Sequence, residues 1–264
     1  MNLTSGRVLI TGATGGIGQA IARAFAARGA SVMLSGRRAD VLEPLATELG
    51  GRALGCDLAE RDQVERLVQE AGDVDVLVAN AALPASGLLL ELDQEQIDRM
   101  IEVNLRAPIA LARAFAPAMV QRRGGHMVFI SSLAGKVASP ASSIYSATKF
   151  GVRGFALGLR QDLQADGVGV SVVLPGFIRG AGMFAEAEID LPRGVGTRSP
   201  EDVASAVLQA VERDRAEIEV APAGLRVGAA FGGLAPQIAA TVSRRLGGEK
   251  TATDLAAGQA GKRH

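Results

Sequence analysis

The chain has 264 residues, enough for one large α/β domain that buries a sizeable apolar core without help from disulfides or metals. Lys plus Arg and Asp plus Glu each total 28, so no charge excess favours a nucleic acid or another polyanion as partner. A single cysteine, Cys56, rules out an internal disulfide, and the two histidines, His126 and His264, are far apart and lack cysteine partners for a structural zinc site.

Short apolar runs alternate with helix-period segments along the chain. Arg7–Ile10 reads as a strand and Gly16–Arg28 as a helix with Ile17, Ala20, Ile21, Ala24 and Phe25 on one face. Ser31–Ser35 is a second strand and Ala39–Leu49 a second helix. Arg52–Cys56, with Cys56 as a small apolar strand residue, is followed by a helix over Glu60–Ala71 and a strand over Asp75–Ala79. A long helical segment, Gln94 to Arg122, contains Pro108, which should kink or split it. His126–Ser131 is a fifth strand, Ser143–Ala165 a helix, Gly169–Leu174 a sixth strand, Pro200–Arg213 a helix and Glu217–Ala221 a candidate seventh strand.

These strands are apolar throughout rather than alternating, which implies burial on both faces of a parallel sheet. Strand–helix repetition predicts a single-domain α/β fold, a doubly wound parallel sheet of Rossmann type. The expected boundaries are a dinucleotide-binding and catalytic domain over 1–222 and a C-terminal extension over 223–264, apolar and then polar, with a disorder-prone end. Val227 to Ser243 is uncharged but short for a membrane span and interrupted by Gly228, Gly232, Gly233 and Pro236. The N-terminus has no basic stretch leading into an apolar run and cleavage site, so a reducing, cytoplasmic setting is expected.

The first strand leads directly into T-G-A-T-G-G-I-G, Thr11 to Gly18. Gly12, Gly16 and Gly18 stand where a strand must turn sharply into a helix. Glycines there let backbone amides approach a pyrophosphate at a positively polarised helix end. The second strand ends S-G-R-R, Ser35 to Arg38. An acidic residue at the end of that strand would bind the ribose 2′-hydroxyl of NAD, but Gly36 is there, followed by Arg37 and Arg38. Guanidinium groups can grip a 2′-phosphate by paired hydrogen bonds, which favours NADP(H). With Asp40 nearby, use of NAD(H) stays open.

Tyr145 is the chain's one tyrosine, and Lys149, one of few lysines, lies four residues later, on the same face of a helix. A phenol ionises near pH 10 and is a poor base at neutrality. A neighbouring ammonium is expected to lower that value and suit the phenol to proton exchange, while the lysine also holds the nicotinamide ribose. Ser132, thirteen residues before Tyr145, closes the fifth strand in I-S-S-L-A-G. Its hydroxyl can hold a substrate oxygen at the strand end where such folds bind ligands.

With the T-G-x-x-x-G-I-G turn, the Y-x-x-x-K pair and the upstream serine together, the chain resembles the short-chain dehydrogenase/reductase family over about residues 7 to 215. The resemblance implies further roles. Thr14 and Ile17 belong to the glycine turn. Asp57, with Leu58, contacts adenine; Asn80 and Ala81 stand in an N-A-A version of the family's N-A-G motif, with Ala82 in place of glycine. Asn104 in E-V-N-L holds a water in a proton relay behind Lys149. Pro175 and Gly176 form the turn beside the nicotinamide. A carbonyl would then take hydride from the nicotinamide while Ser132 polarises its oxygen and Tyr145 protonates it, giving interconversion of a carbonyl and an alcohol.

Several positions depart from the family pattern. Gly180 stands near the place of a threonine that touches the nicotinamide amide, leaving Ile178 to offer backbone amides. Gly15 replaces the basic residue many NADP-using members carry in the glycine turn. No V-D-G-G follows the last strand, which weakens a role in fatty-acid synthesis. Val220 to Leu246 is apolar, with Arg226, Arg244 and Arg245 at its flanks. It reads either as a surface packed on the domain or another subunit, or as a lid over a lipophilic substrate or a peripheral membrane contact. The pocket wall is expected from Phe177 to Ser199, including Met183, Phe184, Ile189 and Leu191 among Glu186, Glu188 and Asp190, and from Pro84–Leu90. The substrate is therefore expected to be a small, lipophilic ketone, aldehyde or alcohol. By family analogy the long helices form a four-helix interface in a homodimer or homotetramer. Two competing readings remain: a cofactor-binding scaffold without turnover, and epimerisation or dehydration on the same fold.

Overall fold

A strand that is apolar at every position needs cover on both faces. In the computed structural model, which describes residues 3–84, 87–181, 196–235, 237 and 241, the strands are β1 (Arg7–Thr11), β2 (Ser31–Gly36), β3 (Arg52–Gly55), β4 (Val76–Ala79), β5 (His126–Ile130), β6 (Gly169–Pro175) and β7 (Glu217–Val220). They form one parallel sheet in the order β3-β2-β1-β4-β5-β6-β7. The helices are α1 (Gly16–Ala26), α2 (Ala39–Glu48), α3 (Arg61–Ala71), α4 (Gln94–Ile101), α5 (Ala107–Gln121), α6 (Ser143–Leu163), α7 (Pro200–Glu212) and α8 (Ala223–Leu234).

Alternate strand residues serve different covers. Leu9, Leu77, Met127, Phe129 and Val172 pack with α3, α5 and α6. Val8, Ile10, Val32, Val78 and Val128 pack with α1, α2 and α7. Complete burial of one such side chain is worth about 1.5–3 kcal/mol. Phe129 also meets Phe155 of α6 edge to face, with ring centroids 5.5 Å apart.

Strand order reverses at β1: the chain runs outward through β2 and β3, then returns to lay β4 on the other side of β1. The crevice beyond the carboxyl ends of β1 and β4 is therefore the topological switch point, where ligands bind in open α/β sheets.

The long helix expected over Gln94–Arg122 is split, and the break has a cause. Pro108 has no amide proton to give the carbonyl of Asn104, and its ring crowds that carbonyl. The chain widens into a π-helical turn over Glu102–Arg106, where the Ala107 N–H reaches back to Glu102. Asp93 and Gln96 cap α4 reciprocally, as Ser199 and Asp202 cap α7. Cys56 lies just beyond β3, buried, with its N–H donated to the Gly36 carbonyl at 3.1 Å.

Past Ala221 the chain forms α8, which runs through Gly228, Gly232 and Gly233, the glycines expected to interrupt a membrane span there. It buries Ala229 and Gly232 against the domain. Residues 242–264, including the polar end, lie outside the described residues.

Candidate active site

The glycine turn is held from two sides. Gly12 has φ +65°, and a Cβ there would stand 2.7 Å from the Ala81 Cα. The Thr11 hydroxyl accepts the N–H groups of Asn80 and Ala81 at 3.1 and 3.2 Å, while the Asn80 amide donates to the Thr11 and Gly12 carbonyls at 3.0 and 3.2 Å. Asn80 thus laces the end of β4 to the turn after β1. A Cβ on Gly18 would stand 2.3 Å from the Gly12 oxygen, and one on Gly16 would stand 2.5 Å from the Ala181 Cβ. The segment after Gly176 therefore folds back onto the start of α1. Gly15 caps α1 without a side-chain hydrogen bond, and no carboxylate stands in the first turn. A helix end left bare and free of negative charge fits a pyrophosphate.

At the end of β2, Gly36 packs so closely on Thr14 that a Cβ would come 2.8 Å from the Thr14 methyl. Arg38 crosses from β2 to the glycine turn and donates to the Thr14 carbonyl at 2.6 Å. Arg37 lies 3.9 Å from the Asp57 carboxylate, which also takes a 2.6 Å hydrogen bond from Arg99 of α4. Burial pushes the Asp57 carboxyl up, but the Ala59 N–H and Arg99 more than offset this and hold it below the usual range. The predicted adenine contact is thereby fixed by Arg99, a residue the sequence did not single out. Leu58 beside it is buried in the core, and Ile17 packs part-buried on the opposite face of the sheet.

Ser132, Tyr145 and Lys149 meet at the carboxyl end of β5. The Ser132 hydroxyl accepts the Ala134 N–H at 3.1 Å, lies 3.4 Å from the Pro175 carbonyl and hydrogen-bonds the Tyr145 phenol. Lys149 is 3% exposed; its ammonium donates to the Ile130 carbonyl at 3.0 Å and sits 5.7 Å above the Tyr145 ring centre. Burial pushes the Lys149 pKa down to about 8.

The phenol differs from the sequence expectation. Its pKa is raised rather than lowered, because burial outweighs the opposing hydrogen bond from Ser132. The Lys149 ammonium lies over the ring face and donates to the Ile130 carbonyl.

Asn104, in the π-helical turn, is buried and clasps the backbone of Leu83: its oxygen accepts the Leu83 N–H at 2.7 Å and its amide donates to the Leu83 carbonyl at 2.9 Å. The Asn104 side chain thus fixes the loop after β4.

Ser131 and Gly135 also escaped notice. The Ser131 hydroxyl donates to the Lys149 carbonyl at 2.8 Å, and a Cβ on Gly135 would stand 2.6 Å from that hydroxyl and 2.8 Å from the same carbonyl. Together they seat the Ser132 turn on α6. Both lie within I-S-S-L-A-G, where the lack of a side chain at Gly135 was the available signal.

Beyond β6, Gly176 donates its N–H to Val220 at 3.0 Å. Ile178 is buried and bridges to Arg198, bringing the two ends of the predicted pocket wall together. Met183, Phe184, Glu186, Glu188, Ile189, Asp190 and Leu191 lie outside the described residues.

Comparison with known proteins agrees with this architecture. The family model for short chain dehydrogenase matches residues 6–191. Nodulation protein G of Rhizobium meliloti (strain 1021) is 41% identical over 185 residues, covering 68% of this chain and 76% of the relative. Ketoacyl reductase HetN of Nostoc sp. is 35% identical over 227 residues, covering 83% of this chain and 79% of the relative. Among solved structures, a short-chain dehydrogenase from Sphingobium yanoikuyae in complex with NADPH superposes with a TM-score of 0.75 at 32% identity, covering 88% of this chain and 96% of the other. A family match across most of the sheet, around a switch point built in this way, makes this chain an oxidoreductase of the short-chain dehydrogenase/reductase family.

Proposed function

We propose that the protein interconverts a lipophilic ketone or aldehyde and its alcohol with NADP(H), Tyr145 acting as the proton donor and acceptor. The observation that carries this reading is the meeting of the Ser132 hydroxyl, the Tyr145 phenol and the buried Lys149 ammonium beside the bare glycine turn. The turn formed by Gly12, Thr14, Gly16, Ile17 and Gly18 would hold the pyrophosphate, Arg37 and Arg38 the 2′-phosphate, and Asp57 with Leu58 the adenine. Asn80, Ala81, Pro175, Gly176 and Ile178 would frame the nicotinamide half, with Lys149 on its ribose. The bound nicotinamide supplies the hydride chemistry; all proton handling falls to the chain.

In the reductive direction the Ser132 hydroxyl donates a hydrogen bond to the substrate oxygen, and the Tyr145 phenol gives that oxygen its proton. A phenol, protonated at neutral pH even at its free value, is ready for this step. The Lys149 ammonium stabilises the phenolate that results and returns a proton to it. The Asn104 carbonyl, which Pro108 cannot engage, is the acceptor on that turn for a water feeding Lys149.

The relative named a ketoacyl reductase and the NADPH-bound neighbour support the same substrate class and cofactor. The lone buried thiol of Cys56 suits a reducing cytoplasm. We expect a homodimer or homotetramer through α4, α5 and α6.

A screen of ketones, aldehydes and secondary alcohols with both nicotinamide cofactors tests this function. Turnover with NADPH is expected, and replacing Arg37 and Arg38 by Ala should raise the KM for NADPH roughly tenfold or more while leaving that for NADH nearly unchanged. Equal losses with both cofactors would remove the arginines from 2′-phosphate recognition.

A further inference from the structure

Two guanidinium groups converge on one oxygen of the Asp57 carboxylate. Arg99 of α4 donates to Asp57 Oδ2 at 2.6 Å, and Arg37, just past the end of β2, lies 3.9 Å from the same oxygen. The other oxygen, Oδ1, accepts the Ala59 N–H at 3.0 Å, and the Asp57 N–H donates to the Gln63 side chain at 2.9 Å. The carboxylate is therefore held in one pose. Arg99 is steadied from behind: its neighbour Met100 is fully buried beside Leu92, with Ile144 and Tyr145 of α6 packed against the pair. The Arg99 Nε lies buried with no partner among the described residues. An unanswered guanidinium N–H costs stability, so packing alone does not favour an arginine here.

Charge shows what the arginine does favour. A carboxylate beside a 2′-phosphate site repels the phosphate and competes with it for any guanidinium in reach. Arg99 is the nearer and the less exposed of the two partners, with 22% of its side chain exposed against 47% for Arg37. The Asp57 charge is thus answered mainly from the α4 side, and Arg37, Asp57 and Arg99 together remain a net cation. Without Arg99, Arg37 and Asp57 would cancel each other, and a 2′-phosphate would meet a neutral pair.

We propose that Arg99 is a positioning residue that sets cofactor choice: by answering the Asp57 carboxylate it keeps Asp57 on the adenine and leaves the charge of Arg37 for the 2′-phosphate of NADP(H). NAD(H) carries a hydroxyl at that place and gains far less from the same charge. The proposal rests on the reading of Arg37 as a 2′-phosphate contact, and it adds to that site a residue from a helix that also packs on the Tyr145 side.

Calorimetric titration of the whole protein with NADPH, NADH, 2′,5′-ADP and 5′-AMP tests it, since the members of each pair differ by the 2′-phosphate alone. Arg99→Met should weaken NADPH and 2′,5′-ADP roughly tenfold or more, and NADH and 5′-AMP about twofold or less. Arg99→Gln keeps a hydrogen bond to Asp57 without the charge; it should show the same selective loss, and it carries the test if the Met variant melts early. In an Asp57→Asn background the Arg99→Met change should no longer be selective, because no carboxylate is left to engage Arg37. The proposal is overturned if the Arg99 variants weaken all four ligands by the same factor, which is the mark of a merely structural pair, or if the selective loss persists in the Asp57→Asn background. A native protein that binds 2′,5′-ADP no tighter than 5′-AMP overturns the 2′-phosphate reading and this proposal with it. A native preference that the Arg99 variants leave untouched overturns this proposal alone.

Discussion

Two residues beside each other in the site have their ionisation moved in directions that suit proton transfer. Lys149 is easier to deprotonate than a free lysine and Tyr145 is harder to deprotonate than a free phenol, both because burial disfavours the charged form. The sequence made the pair visible but not this outcome: spacing shows that two groups share a face, while desolvation depends on what else covers them. The consequence can be measured. Carbonyl reduction uses the protonated phenol and the Lys149 ammonium, so its kcat/KM should hold through neutral pH and fall as the pH climbs past about 8, first as Lys149 gives up its proton and then as the phenol ionises. Alcohol oxidation uses the phenolate and should rise over the same alkaline range. Opposite pH limbs in the two directions are expected; parallel limbs would mean that another group governs proton transfer. Asp57 teaches a similar lesson, since its hold by Arg99 joins positions distant in sequence and no local pattern announces it.

Among the elements, the split helix is the most informative. Pro108 announced a break, and the structure adds what the break accomplishes: a π-helical turn that carries Asn104 and lets its side chain clasp Leu83. Replacing Asn104 by Ala would leave a buried N–H and a buried carbonyl of Leu83 without partners. We expect a loss of about 2 kcal/mol or more in chemical denaturation, together with reduced turnover. Unchanged stability would instead mean that the Leu83 backbone finds other partners and that the Asn104 side chain is not what holds the loop. The strands were legible to within a residue or two because apolar runs bounded by glycine and polar residues leave little choice. Helix α8 was not, because four glycines and a proline in its neighbourhood signal interruption, and only packing of Ala229 and Gly232 on the domain overrides them.

For the whole molecule, the doubly wound sheet followed from strands that are apolar on both faces, and the reversal of strand order puts the glycine turn and the β5 end on one edge. What covers the outer helices is less legible, since exposed apolar residues become informative only after the fold shows which of them remain uncovered. Ile101 of α4 and Phe150 of α6 are such residues. If the long helices form the subunit interface, replacing both by Asp should lower the mass measured by light scattering to that of a smaller assembly. An unchanged mass would move the interface elsewhere.

The proposed chemistry turns on the phenol of Tyr145, and one paired measurement addresses it. In the Tyr145→Phe variant, NADPH binding followed by fluorescence should match the native protein, while turnover of the best carbonyl substrate should fall by about 100-fold or more. Native rates of turnover in that variant, with the cofactor bound normally, would contradict the proposed mechanism.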